Sequence, residues 1–211
     1  MSNLALKRDS TFVDRLKLES GEKSYPIWLL VNPKFSRVRY DIWNPILDAI
    51  QDRVFRKLRR RIETEKIFMR DTISDIGLVL PKTIYDWEAE VADEIVILRE
   101  SVLKYQPKML ITFGSVTYEY IRRLLEIKQI EGPKYWRTAN LGDEFERSIA
   151  DFDINRTNMI PLPRHVTSSD KFTDDGNNFS WDDGELYFRD VGTKIADRII
   201  ENKDSLKIWI E

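Results

Sequence analysis

The chain has no cysteine and a single histidine in 211 residues. Without cysteine there is no disulfide, no thiol nucleophile, no cysteine-bound zinc and no cysteine-ligated iron–sulfur cluster. His165 alone does not make a histidine-rich metal site, so no metal or other cofactor is expected. Long apolar runs are missing too: none approaches the roughly 20 residues that cross a bilayer. The stretch "MSNLALKRDSTFVDRLKL" lacks the apolar core of a secretory signal, and the expectation is a cytoplasmic protein with no membrane partner. There is no phosphate-loop signature, no G-x-G-x-x-G and no G-x-S-x-G. Charge of one sign is also lacking, since 34 basic residues face 36 acidic ones for a net −2. That balance does not advertise a nucleic-acid binder, yet it leaves room for a local basic face.

What is present fits one α/β domain over residues 1–211, with residues 1–24 as an N-terminal arm or short helix. "YPIWLLV" reads as a first buried strand that stops at Asn32-Pro33. "DIWNPILDAIQDRVFRKLRRRIE" sets Ile46, Ile50, Val54, Leu58 and Ile62 at four-residue intervals, a helix with one apolar face and Pro45 in its first turn. "KIFMRDTISDIGLVLP" reads as a strand followed by a loop. "DWEAEVADEIVILRESVLKYQ" carries Trp87, Val91, Ile95, Leu98, Val102 and Tyr105 on one stripe, with Asp86 as N-cap. "KMLITFGS" is a strand that turns at Gly114-Ser115 into the helix "VTYEYIRRLLEIK". "TNMIPLP" is a further strand, and "LYFRDVGTKIADRIIEN" a helix bearing Phe188, Val191, Ile195 and Ile199. Segments 130–156 and 170–185 read as polar loops. Alternation of strands and helices argues for a parallel, doubly wound sheet.

Three strand ends thus face one crevice: "VNPKFS", "FGS" and "PLPRHVTSS". Open α/β sheets keep ligands at such carboxyl ends. The order of motifs from about Tyr25 to Glu201 resembles the uracil-DNA glycosylase superfamily, closest to its mismatch-specific branch. Asn32-Pro33, Ser36 and Trp43 echo that family's first motif; His165, with Thr167, Ser168 and Ser169 behind it, takes the place of the second. Asp71 stands where the family's Asn reads the uracil edge. The resemblance implies a three-layer sandwich around a mostly parallel sheet, nucleic acid (DNA) as partner, and hydrolysis of the N-glycosidic bond of a flipped, deaminated base. It makes Asn32 the water-holding residue and His165 the donor to the developing oxyanion. Phe35 or Tyr40 would stack on the base, beside Ser36 and Asp71. Lys34, Ser115, Arg164, Ser168 and Ser169 would meet phosphates.

The sequence departs from that pattern at Val31 and Lys34, where glycines are common, at Val166 in place of proline, and at Asp71. Lys34 fills the pocket or grips a phosphate. An ionised Asp71 accepts but does not donate, which suits an exocyclic amine better than uracil O4. Two other readings follow: an inactive module of the same fold that binds nucleic acid or a protein partner, and a small-molecule nucleoside hydrolase or transferase. The basic run "RVFRKLRRRIETEK" reads first as a solvated helix face balanced by Asp52, Glu63 and Glu65, and otherwise as a phosphate-tracking surface. Trp28, Trp43 and Trp87 sit on apolar patterns and belong to the core. Trp136 and Trp181 fall in polar stretches, where one could wedge into a duplex. The aspartates Asp174, Asp175, Asp182 and Asp183 lack calcium-loop spacing.

Overall fold

The computed structural model describes residues 19–31, 38–72, 92–127, 132, 134–163 and 181–210. Five strands form one sheet: β1 (Glu19–Ser20), β2 (Ile27–Val31), β3 (Phe68–Asp71), β4 (Met109–Phe113) and β5 (Asn158–Leu162). They lie in the order β1-β3-β2-β4-β5, with only β1 antiparallel to its neighbour. Every residue of β2 and of β4 is buried. Such strands need an apolar layer on each side, and alternation of side chains divides them between two. Ile27, Leu29 and Val31 of β2 join Met109, Ile111 and Phe113 of β4 on one face; Trp28, Leu30 and Leu110 lie on the other.

The first face is covered by α1 (Asn44–Leu58) and α5 (Trp181–Glu201), through Ile46, Ile50, Val54, Val191, Ile195 and Ile199. Phe145 and Ile149 of α4 (Thr138–Ala150) reach the same core beside β5. The second face is covered by α2 (Ala92–Tyr105) and α3 (Ser115–Leu124), through Leu98, Val102, Tyr120, Ile121 and Leu124. The result is an α/β fold compatible with a three-layer sandwich. No helix among the described residues is long and apolar enough to cross a membrane.

Four expectations are corrected. The first helix does not run to Ile62: α1 ends at Leu58, and Arg59 takes a left-handed conformation at φ 56°. Ile62 is buried for another reason, its antiparallel bridge with Trp209. The segment 130–156 is not all loop, since α4 occupies 138–150 and buries Leu141, Phe145 and Ile149. Helix α5 starts at Trp181, within a stretch read as loop. Glu19–Ser20 is a strand rather than arm or helix. Trp28 and Trp43 are core residues as expected, whereas Asp86, Trp87, Asp174 and Asp175 lie outside the described residues.

Helices α1 and α5 approach closely at Gly192. A Cβ there would come 2.6 Å from Ala49 Cβ and 2.9 Å from the Ile46 carbonyl oxygen. Gly192→Ala is expected to lower unfolding free energy in urea by about 1–3 kcal/mol, because overpacking outweighs the gain of about 1 kcal/mol in helix propensity. A rise in stability would contradict this packing.

Candidate functional site

Strands β3 and β4 flank β2, and β5 lies beyond β4. Chain order therefore reverses between β2 and β4, and the crevice at such a switch point, outside the carboxyl strand ends, is where open α/β sheets bind ligands. The described residues at this edge are Val31, Asp71, Thr72, Phe113, Gly114, Ser115 and Leu162.

Backbone hydrogen bonds hold the strand ends in register. The Val31 carbonyl accepts both the N–H and the Oγ–H of Thr72, each at 2.8 Å. The Gly114 N–H donates to the Leu162 carbonyl at 2.7 Å. Gly114 adopts φ 85°, a conformation that side chains disfavour, and the chain turns there directly from β4 into α3. The first N–H to bond back is that of Tyr118, to the Gly114 carbonyl at 3.0 Å. The N–H groups ahead of it, from Ser115 on, have no intrahelical acceptor and give this edge a partial positive charge.

Among the described residues, Asp71 is the titratable group of this edge. Its register partner is Val31, so its side chain lies on the α1–α5 face of the sheet. Burial there pushes its carboxyl up to about 6, and Arg70 only partly offsets the effect. Arg70 lies on the opposite face as the partner of Leu30, is itself buried, and pairs with Glu19 at 3.5 Å. Asp71 thus exchanges its proton near neutral pH, a property that clusters at functional sites. Adjacent strands are about 4.8 Å apart, which puts the ends of β3 and β4 about 10 Å from each other.

A buried polar network fixes α3 from behind. Glu119 is 1% exposed. Its two oxygens accept from Arg123 Nε at 3.2 Å and from Trp136 Nε1 at 2.8 Å, and Arg122 Nε lies 3.9 Å away. The Arg122 guanidinium stacks 4.8 Å from the Trp136 ring. Tyr118 donates to Glu144 of α4 at 2.8 Å, and Glu144 also accepts from Arg147 at 2.5 Å. Burial and Glu144 together push the Tyr118 hydroxyl well above its ordinary range. Trp136 is consequently no duplex wedge: it is 5% exposed and held by Glu119. Sequence reasoning missed this network, although Glu119, Arg122 and Arg123 stand at ion-pair spacing within "YEYIRR".

Of the residues expected at the site, Asp71 and Ser115 come to the same sheet edge. Tyr40 lies in a π-helical turn, Arg39–Trp43, that leads into α1, and its side chain is outside what is described. Asn32, Lys34, Phe35, Ser36, Arg164, His165, Ser168 and Ser169 lie outside the described residues. The basic run does not belong to this edge, because it occupies the last turns of α1 and the residues after its far end. Helix α1 has 15 residues, so its two ends are about 22 Å apart. No protein-family model matches the chain, and no curated protein matches it either.

Two outcomes test this geometry. In the folded chain Asp71 keeps its proton up to about pH 6, whereas the unfolded chain releases it near 3.8. The folded state therefore loses stability as pH rises through that window, by about 1–2 kcal/mol after a discount for solvent screening of the partly exposed carboxyl. Asp71→Asn should be more stable than wild type at pH 8 and equal to it below about pH 4, read by urea unfolding. Parallel curves at all pH values would contradict the buried placement. Separately, Glu119→Ala should cost about 3–5 kcal/mol, because it strands buried cationic groups; a loss under 1 kcal/mol would mean the network carries little.

Proposed function

We propose that the chain is a uracil-DNA glycosylase-like hydrolase of the N-glycosidic bond, acting on a base flipped into the crevice between β2 and β4. Support comes from the parallel order β3-β2-β4-β5 and from the turn of β4 into α3 at Gly114. In sequence, Asn32 directly follows β2 and His165 closely follows β5. The observation that carries the reading is the switch-point crevice between β2 and β4, whose edge holds the partly buried Asp71 at the end of β3 and the N-terminus of α3.

Flipping the base costs a few kcal/mol of stacking and pairing. In this reading the base leaves with the electron pair of the glycosidic bond while a water oxygen bonds to C1′ and releases its proton to solvent. Asn32 orients that water through its amide oxygen, and His165 donates to the developing charge on the base. Asp71 reads the edge of the base in two protonation states. Below about pH 6 its O–H donates to a carbonyl oxygen such as uracil O4; above that pH the carboxylate only accepts. The helix N-terminus at Ser115 adds N–H donors for a phosphate. Cytosine-like edges thus gain and uracil-like edges lose as pH rises, which distinguishes this site from one built with asparagine.

The test is strand cleavage after alkali, on labelled single- and double-stranded oligonucleotides carrying uracil, hypoxanthine or xanthine. Wild type should cleave, and Asn32→Ala should lose on the order of 100-fold or more. Activity on uracil should fall as pH rises through about 6, and Asp71→Asn should flatten that profile. Absence of cleavage on every substrate would overturn the enzymatic reading. Retained binding in that case would favour the inactive module.

A further inference from the structure

The edge of the sheet opposite the crevice carries a cluster of exposed cations without ion pairs among the described residues. Where α1 ends, the Arg59 N–H donates to the Phe55 carbonyl at 2.9 Å. Residues 61–63 then pair with 208–210: Ile210 N–H donates to the Arg61 carbonyl at 2.9 Å and Glu63 N–H to the Ile208 carbonyl at 2.8 Å. The side chain of Gln51 clamps this ribbon to α1, donating to the Ile62 carbonyl at 2.9 Å and accepting from the Ile62 N–H at 3.0 Å.

The charges of the basic run separate into two groups. Arg53 pairs with Asp197 at 2.9 Å, Arg56 with Asp52 at 2.9 Å, and Lys66 with Glu63 at 3.1 Å. Lys57, Arg59, Arg60 and Arg61 are exposed and have no ion pair among the described residues. Instead, Arg59 and Arg61 lie 5.7 and 5.3 Å from the centre of the Phe55 ring, and Arg60 lies 5.8 Å from that of Trp209. Phe55 is 39% exposed, unusual for a ring on an otherwise polar helix face. Beyond the ribbon lies an open cavity of about 410 Å³ of mixed charge, lined by Lys66, Lys108 and Lys207 together with Glu22 and Glu63.

We propose that this amino edge is a second binding surface, for the phosphodiester backbone and bases of a single nucleic-acid strand. Three guanidiniums on the consecutive exposed positions 59–61, with the Lys57 ammonium two residues before them, repel one another until an anion enters. The rings lie within cation–π range of the guanidiniums and bias where they sit, so less freedom is lost when their forks close on a phosphate. Guanidinium planes and exposed rings are also the groups on which unstacked nucleobases settle. An acidic peptide would use the charges but not the planes, which favours the nucleic acid. The surface lies about 22 Å from the crevice along α1, so it holds a strand whether or not the crevice cleaves one.

The test is fluorescence anisotropy of labelled oligothymidylate, titrated with the full chain over a series of salt concentrations. Each phosphate contact on a single strand contributes about 0.7 to the slope of log affinity against log salt. The triple variant Arg59→Gln, Arg60→Gln, Arg61→Gln should lower that slope by about 2, with its urea midpoint unchanged. The corresponding triple lysine variant should keep the slope and lose part of the affinity. The proposal is overturned if wild type does not bind, if the glutamine variant binds with an unaltered slope, or if polyglutamate competes as well as the oligonucleotide at equal charge. Strand cleavage is a separate readout, so failure here leaves the crevice reading standing, and the reverse.

Discussion

Burial of β2 and β4 on both faces is the constraint from which the rest follows. All ten residues of these two five-residue strands are buried, which leaves the strand ends as the places where polar groups reach solvent. Apolar cover is therefore needed above and below, supplied by α1 and α5 on one side and by α2 and α3 on the other. Once the central pair is enclosed, chemistry has only two places to go, the carboxyl edge and the amino edge of the sheet. Both edges are polar in this protein, and they are polar in different ways.

At the carboxyl edge the groups are few and partly desolvated. Asp71 lies against the apolar face beneath α1 and α5, so its charged form is disfavoured while its proton stays exchangeable. Across β2, the N-terminus of α3 adds partial positive charge, and its position depends on the buried Glu119 network that ties α3 to Trp136. At the amino edge the groups are many and solvated. Arg59 itself makes the left-handed turn, and Arg59, Arg60 and Arg61 lie within cation–π range of Phe55 and Trp209. The first arrangement suits recognition and chemistry at one base, and the second suits a phosphate backbone.

The sheet was legible in the sequence because its signals are local. "IWLLV" and "MLITF" are unbroken apolar runs, and Gly114-Ser115 marks the turn into α3. Helix α4 was missed although Leu141, Phe145 and Ile149 repeat at four-residue spacing, because the charged residues between them outweigh that stripe in a polar segment. Ile62 extended the α1 pattern by coincidence: its burial comes from a ribbon with Trp209, a partner far along the chain. Trp136 was placed in a loop because its partner Glu119 is 17 residues away, beyond any periodic signal. Asp71 was singled out by position, but its protonation depends on which face of the sheet it occupies, and that emerges only from register with Val31. Asn32 and His165, proposed to orient the water and to donate to the leaving base, lie outside the described residues.

The crevice account rests most directly on Asp71, whose titration can be followed by carbon-13 NMR of its side-chain carboxyl, in the free chain and with an oligonucleotide bearing one uracil. A midpoint near 6 in the free chain, moving upward when the oligonucleotide is bound, is the expected result. A midpoint at the ordinary carboxylate value, unchanged by the oligonucleotide, would contradict both the buried placement of Asp71 and its contact with a flipped base.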